Sequence, residues 1–243
     1  AEFEVLRQLL SMRLLCKGVV DLLTIEWHDR FFEKNLPWRQ HCDECRDVRT
    51  RVLEQRPTET CSPTVFEEYD DESYLHDGQP WPPVSEGVKA KFSAVTGSSA
   101  ASADMFKGCR AIFYDVGANI GTHVRKLFEP EKYKKAGYLS RFDKVFGDRA
   151  QRGKPSTQTG LCAFLFEANP RHAPRLAELE ATYNAAGWRV KVFAPAIVST
   201  STGEVKELWL NGQADDEHMN WAASTIPYTG HSILAPRPAG PAV

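Results

Sequence analysis

An α/β fold, with a mostly parallel sheet and helices on both faces, is predicted for this 243-residue chain by three observations. An apolar run, Ala111 to Tyr114, stops at Asp115 and opens into a turn punctuated by Gly117 and Gly121. This is how a buried parallel strand hands over to a loop and then a helix. A second apolar run, Leu161 to Phe166, ends in Glu167 and is followed by Asn169 and Pro170, which read as a helix cap and a first helical residue. Strand and helix patterns alternate along the rest of the chain, the order from which parallel sheets are built.

Taken in order, Phe3, Leu6, Leu9, Leu10 and Leu14 recur at helical spacing, with Gly18 as the stop. A strand over 19–25, a helix near 39–55 and a short strand near 64–69 then make a βαβ unit. Residues 80–107 contain Pro82, Pro83 and the run Gly97-Ser-Ser-Ala-Ala-Ser-Ala103, a flexible linker whose span is on the order of 30 Å. Beyond the two apolar runs, 171–186 reads as a helix with Leu176, Leu179 and Tyr183 inward, ended by Gly187. Val190, Val192 and Phe193 suggest a third strand, and 205–210 a hairpin arm. The closing segment, with Pro236, Pro238, Gly240 and Pro241, offers no strand, so 229–243 reads as an irregular tail.

Lys and Arg number 30 against 32 Asp and Glu, a net charge of −2, and aromatic residues do not interleave with the basic ones. Nucleic acid is therefore not an expected partner. Residues 5–25 are interrupted by Arg7, Arg13, Lys17 and Asp21, which argues against a membrane span or signal peptide. The start at Ala1 suggests processing or excision from a longer chain. Neither compartment nor oligomeric state is assigned. Residues 129–160 form a basic insert, carrying Lys132, Lys134, Lys135, Arg141, Lys144, Arg149, Arg152 and Lys154. It reads as a solvated surface loop with one short helix around 138–146, against the sharper reading of a lid over an acidic or phosphorylated substrate.

Asp115 and Glu167, at neighbouring strand tips, flank one nucleoside pocket, because a carboxylate ending the second strand of a βαβ unit suits a ribose diol. The glycines are fewer than in a dinucleotide fingerprint, and Asp115 would repel a diphosphate. S-adenosylmethionine fits better, having an ammonium for Asp115 and no phosphate.

Residues 115–121 (Asp-Val-Gly-Ala-Asn-Ile-Gly), 166–170 (Phe-Glu-Ala-Asn-Pro), 196–199 with Gly203, and 223–226 together resemble the successive motifs of the FkbM-type methyltransferase family, over about 109–228. The resemblance implies a Rossmann-like O-methyltransferase that uses S-adenosylmethionine on a hydroxyl of a sugar or sugar-bearing metabolite. It gives Asp115, Gly117, Asn119 and Gly121 to the methionine end of the cofactor and Glu167 to its ribose. The family's next strand motif is missing after Ile226, but Val20 to His28 is similar to it, with Glu26 and His28 at its two acidic positions. The motif order is thus rotated, leaving either a circularly permuted single domain or a segment across the junction of two tandem units. In these terms 1–79 is a second-half βαβ element, 80–107 a linker and 108–228 the cofactor-binding half.

Glu26 and His28 share one face of a strand and are the candidate catalytic pair, since a sugar hydroxyl must lose its proton as it attacks. The plainer reading is that Glu26 caps a loop and His28 is half-buried. His123, in the first turn of the cofactor helix, reads as packing beside the loop. Trp209, Trp221, Tyr228, His218 and Asn220 are weaker candidates for the sugar side. Among the six cysteines, Cys42 and Cys45 beside His41, with Cys61, make a poor zinc signature, and no metal is assigned. Cys162 reads as a buried thiol and Asp70-Asp71-Glu72 as a solvated acidic turn. A non-catalytic binding or scaffold domain is the alternative to the enzyme.

Overall fold

The computed structural model describes residues 2–25, 39–68, 103–196, 198, 206–211 and 236–242. The chain divides into two units, with residues 2–25 and 39–68 in one, and 103–196, 206–211 and 236–242 in the other. Both are mixed α/β, built on parallel strands flanked by helices.

In the first unit, helix α1 (Glu2–Ser11) precedes strand β1 (Leu22–Ile25), helix α2 (Arg39–Leu53) and strand β2 (Val65–Glu68). Strands β1 and β2 pair in parallel, Leu22 opposite Val65 and Ile25 opposite Glu68, so the expected βαβ unit is present. Leu6, Leu15, Ile25, Val48 and Val52 are buried together, with Leu9, Leu10, Leu23 and Phe66 packed against them. Helix α1 ends at Ser11, earlier than the Gly18 stop that the spacing suggests, because Arg13 turns the backbone left-handed (φ 54°). Gly18, also left-handed, donates its amide to the Asp21 carboxylate at 2.8 Å instead. Cys61 is no zinc ligand: it is disulfide-bonded to Cys16, which joins the approach to β1 to the approach to β2.

In the second unit, strands β3 (Ala111–Val116), β4 (Leu161–Phe166) and β5 (Arg189–Phe193) form a parallel sheet in that order. Asp115 lies opposite Leu165, and Phe166 opposite Phe193. Helix α3 (Thr122–Phe128) follows β3, helix α4 (Leu139–Phe146) lies in the insert, and helix α5 (Ala173–Ala185) joins β4 to β5. One face of the sheet carries Phe113, Ala163, Leu165, Val190 and Val192, and Phe113 meets Phe142 and Phe146 of α4 edge-on. On the other face Phe164 packs against Phe106 at 5.0 Å, while Tyr114 and Val116 are about half exposed. Leu176, Leu179 and Tyr183 are buried as the periodicity predicts. Cys162 is not a free thiol but is bonded to Cys109, clamping the amino ends of β3 and β4.

The insert carries the expected short helix, α4, but is otherwise no solvated loop. It folds into α4 and short helical turns, Pro130–Tyr133, Arg149–Arg152 and Ser156–Thr159. It buries Tyr133, Tyr138, Leu139, Phe142 and the whole of Arg152. Arg152 donates from Nε to the Leu127 carbonyl at 3.1 Å and from Nη1 to Asp143 at 2.6 Å and the Gly147 carbonyl at 2.5 Å. Its guanidinium also lies 5.9 Å from the Phe142 ring centre. A charge run read as a solvated face thus hides an arginine that makes three hydrogen bonds inside the protein from Nε and Nη1, which offsets much of the cost of burying it, while Nη2 has no partner among the described residues.

The tail is corrected too. Strand β7 (Pro236–Ala242) pairs antiparallel with β6 (Lys206–Asn211), with a bulge between Glu207 and Trp209. Both strands of a two-stranded ribbon are edges, where proline is tolerated despite its missing N–H. Among the described residues no helix is long and apolar enough to cross a membrane.

Two outcomes are expected. Non-reducing peptide mapping yields the pairs Cys16–Cys61 and Cys109–Cys162, and replacing the second pair by serines lowers the unfolding free energy by about 2–4 kcal/mol in urea. Burial pushes the Asp143 carboxyl up, but hydrogen bonds and charge from Arg152 and Arg149 outweigh it and hold it below the usual range. Its contribution is therefore full above the unfolded-state value of about 3.9 and is lost as pH falls through the lower folded-state value. The stability gap between wild type and Asp143→Asn, followed by urea unfolding, closes in acid.

Candidate functional site

Asp115 is the penultimate residue of β3 and Glu167 immediately follows β4, so adjacent parallel strands bring both acids to the same carboxyl edge. Both are buried, at 5% and 7% exposure. The chain after β3 bends through Gly117 (φ 81°), Asn119 (φ 50°) and Gly121 (φ 80°), all left-handed. The two glycines serve different ends. A Cβ on Gly121 would come within 2.8 Å of Leu179 and 3.2 Å of Leu176, so its absence lets the bend pack on α5. A Cβ on Gly117 would meet nothing within 4 Å, so that position is open to a ligand.

Hydrogen bonds stitch the bend to the neighbouring strand end. The amides of Gly117 and Ala118 both donate to the Phe166 carbonyl, at 2.9 and 3.0 Å. The Glu167 carboxylate accepts the Asn119 amide on one oxygen and the Asn169 amide on the other, each at 2.6 Å. Burial pushes the Glu167 carboxyl above its ordinary range, against the pull of these amide bonds, and the Asp115 charge adds to the rise. The charge on Asp115, at the neighbouring strand end, thus disfavours ionisation of Glu167, and N–H or O–H donors near the pair would counter that.

The residues around the bend keep unused polar atoms. Asp115 Oδ2, Asn119 Oδ1 and Thr122 Oγ1 are buried and have no hydrogen-bond partner among the described residues. Such orphans are rare in native interiors and mark places where a ligand or water completes the set. The other Asp115 oxygen, Oδ1, lies 3.3 Å from Nδ1 of His123, whose ring stacks on Tyr138 with centroids 5.7 Å apart.

The structure thus brings together Asp115, Gly117, Asn119, Gly121 and Glu167. Glu26 and His28 lie outside the described residues, as do His218, Asn220, Trp221, Tyr228 and the acidic 70–72 turn. Asn169 does not cap the helix after β4: that helix starts at Ala173, and Asn169 Oδ1 instead accepts the Arg171 amide at 3.0 Å in a local turn. The sequence reading missed Thr122, the pairing of His123 with Asp115, and Tyr138. The first two follow Gly121 directly, which is the only local signal; Tyr138 arrives from the insert. A hollow of about 440 Å³ lies at the far end of α3, lined by Phe128, Glu129, Arg149 and Trp188 among others, and holds none of these groups. Its Glu129 is already engaged by Lys132 and by the Tyr183 hydroxyl.

Comparisons with family models, with curated proteins and with solved structures find no match to this chain.

The two glycines separate packing from access. Gly121→Ala is expected to destabilise by about 2–3 kcal/mol, from overpacking and a left-handed backbone together. Gly117→Ala meets only the backbone penalty, about 1–2 kcal/mol, and chemical denaturation of both variants distinguishes them.

Proposed function

We propose that the chain is an S-adenosylmethionine-dependent O-methyltransferase that acts on a hydroxyl of a sugar or sugar-bearing small molecule. The observation that carries the reading is the unpaired buried oxygen of Asp115, with the unpaired Asn119 Oδ1 and Thr122 Oγ1 on the same bend. A buried carboxylate oxygen and an amide oxygen both seek hydrogen-bond donors, and an amino-acid ammonium supplies several with a compensating charge. A nucleotide phosphate supplies neither and would be repelled.

Glu167 fits the ribose end of the same ligand. Each of its oxygens already accepts one amide and retains capacity for a second donor, so a vicinal diol can be held without breaking the brace. Gly117 leaves room for the ligand to lie against the backbone. When bound, the sulfonium supplies an activated methyl carbon; the protein's task is to hold the acceptor oxygen in line with it and keep water away. In this reading the fold is a Rossmann-like methyltransferase of FkbM type with its motif order rotated, as a permuted single domain or a segment across two tandem units.

Isothermal calorimetry of the full chain with S-adenosylmethionine tests the proposal. Wild type binds, whereas Asp115→Asn loses roughly 30-fold or more in affinity, the loss expected when one partner of a buried charged hydrogen bond is removed. Its melting temperature does not fall, because the substitution relieves repulsion with Glu167. No binding by wild type overturns the reading, and tight binding of a nicotinamide dinucleotide replaces it.

A further inference from the structure

Resting on that methyltransferase reading, we propose that His123, aligned by Asp115, is the general base that takes the proton of the acceptor hydroxyl. The expected catalytic pair, Glu26 and His28, lies outside the described residues. His123 lies at the start of α3, immediately beyond the bend that carries the unpaired ligand-seeking atoms.

The geometry fits the task in three ways. First, a carboxylate only accepts hydrogen bonds, so the 3.3 Å contact between Asp115 Oδ1 and His123 Nδ1 places the ring proton on Nδ1. The neutral ring then presents its lone pair on Nε2. Second, Nε2 has no partner among the described residues and the side chain is 34% exposed, so an acceptor can reach it. Third, stacking on Tyr138, at 28° between planes, fixes the ring's second degree of freedom. The Asp115 side chain is 6% exposed and has one oxygen for each role: Oδ1 orients the base and Oδ2 is free for the ammonium of the methyl donor. One buried carboxylate thereby places base and donor side by side.

The step balances. The acceptor O–H bond breaks and its proton passes to Nε2, giving an imidazolium. The oxygen's electron pair forms the new O–C bond to the methyl group, and the C–S bond breaks with its pair going to sulfur. One positive charge is lost at the sulfonium and one gained at His123, next to Asp115. Among the described residues the ionisable groups against the ring are Asp115 from β3 and Tyr138 ahead of α4.

The test has two arms on the full-length chain. ¹⁵N-histidine NMR, with His123 assigned by its absence in His123→Gln, shows the Nδ1-protonated tautomer in wild type; the Nε2-protonated tautomer overturns the proposal. In the second arm, labelled methyl transfer from S-adenosylmethionine is measured across a panel of mono- and disaccharides. His123→Gln keeps S-adenosylmethionine affinity within about twofold by calorimetry. Its kcat drops by roughly 100-fold or more, and it loses the acid limb of the wild-type pH profile. An unchanged kcat or pH profile overturns this inference alone, whereas a wild-type chain that binds the donor yet methylates no sugar overturns it together with the sugar-methyltransferase reading. A wild-type chain that does not bind the donor overturns the methyltransferase reading and this inference with it.

Discussion

One carboxylate, that of Glu167, accepts the amides of Asn119 and Asn169, and so ties the bend after β3 to the bend after β4. A buried carboxylate unaided costs several kcal/mol, and two charge-assisted hydrogen bonds, each worth about 1.5–3 kcal/mol, offset much of that. The carboxyl is still pushed upward by burial and by Asp115, so the offset is incomplete. The same bond secures Asn119 in its left-handed conformation, which a non-glycine residue adopts only at a cost of about 1–2 kcal/mol. The Glu167 brace adds to the β3–β4 pairing and to the Gly117 and Ala118 amides on the Phe166 carbonyl, which hold the start of the bend beside the second strand.

A second constraint works at the other end of α3. Arg152 reaches the last turn of that helix through the Leu127 carbonyl and holds Asp143 and Gly147 of the insert at once. The insert is thereby part of the folded unit, and it delivers Tyr138 to the ring of His123. The disulfide between Cys109 and Cys162 clamps β3 to β4 at the amino ends, while Glu167 braces them at the carboxyl ends. Bonds of this kind persist in oxidising compartments, and the Cys16–Cys61 pair in the first unit has the same implication.

Much of this was legible in the residues. Strands β3, β4 and β5 and helix α5 lie where apolar runs and 3.6-residue spacing put them, because burial of a continuous strand or one helix face leaves a local periodic record. The bend between Asp115 and Gly121 was legible for a similar reason, since left-handed backbone selects glycine and asparagine at particular places. Cysteine pairing left no such record, because Cys109 and Cys162 are 53 residues apart and are joined only by strand register. Nor did the burial of Arg152, which depends on partners from two separate segments, the end of α3 and α4 with its cap. The β7 strand was hidden by its prolines, whose cost depends on whether the neighbouring strand needs the missing N–H.

The sequence by itself determined the alternation of strand and helix, the two acids at strand ends and the glycine bend, because each depends on residues close together in the chain. Only the tertiary structure decided what those groups touch: that Glu167 braces both bends, that Asp115 divides its oxygens between His123 and an empty hydrogen-bond position, and that Gly121 exists for Leu176 and Leu179. The reason is geometric. Hydrogen-bond partners, disulfide mates and close packing are chosen by distance in space, which strand register and helix docking set and which spacing along the chain does not encode.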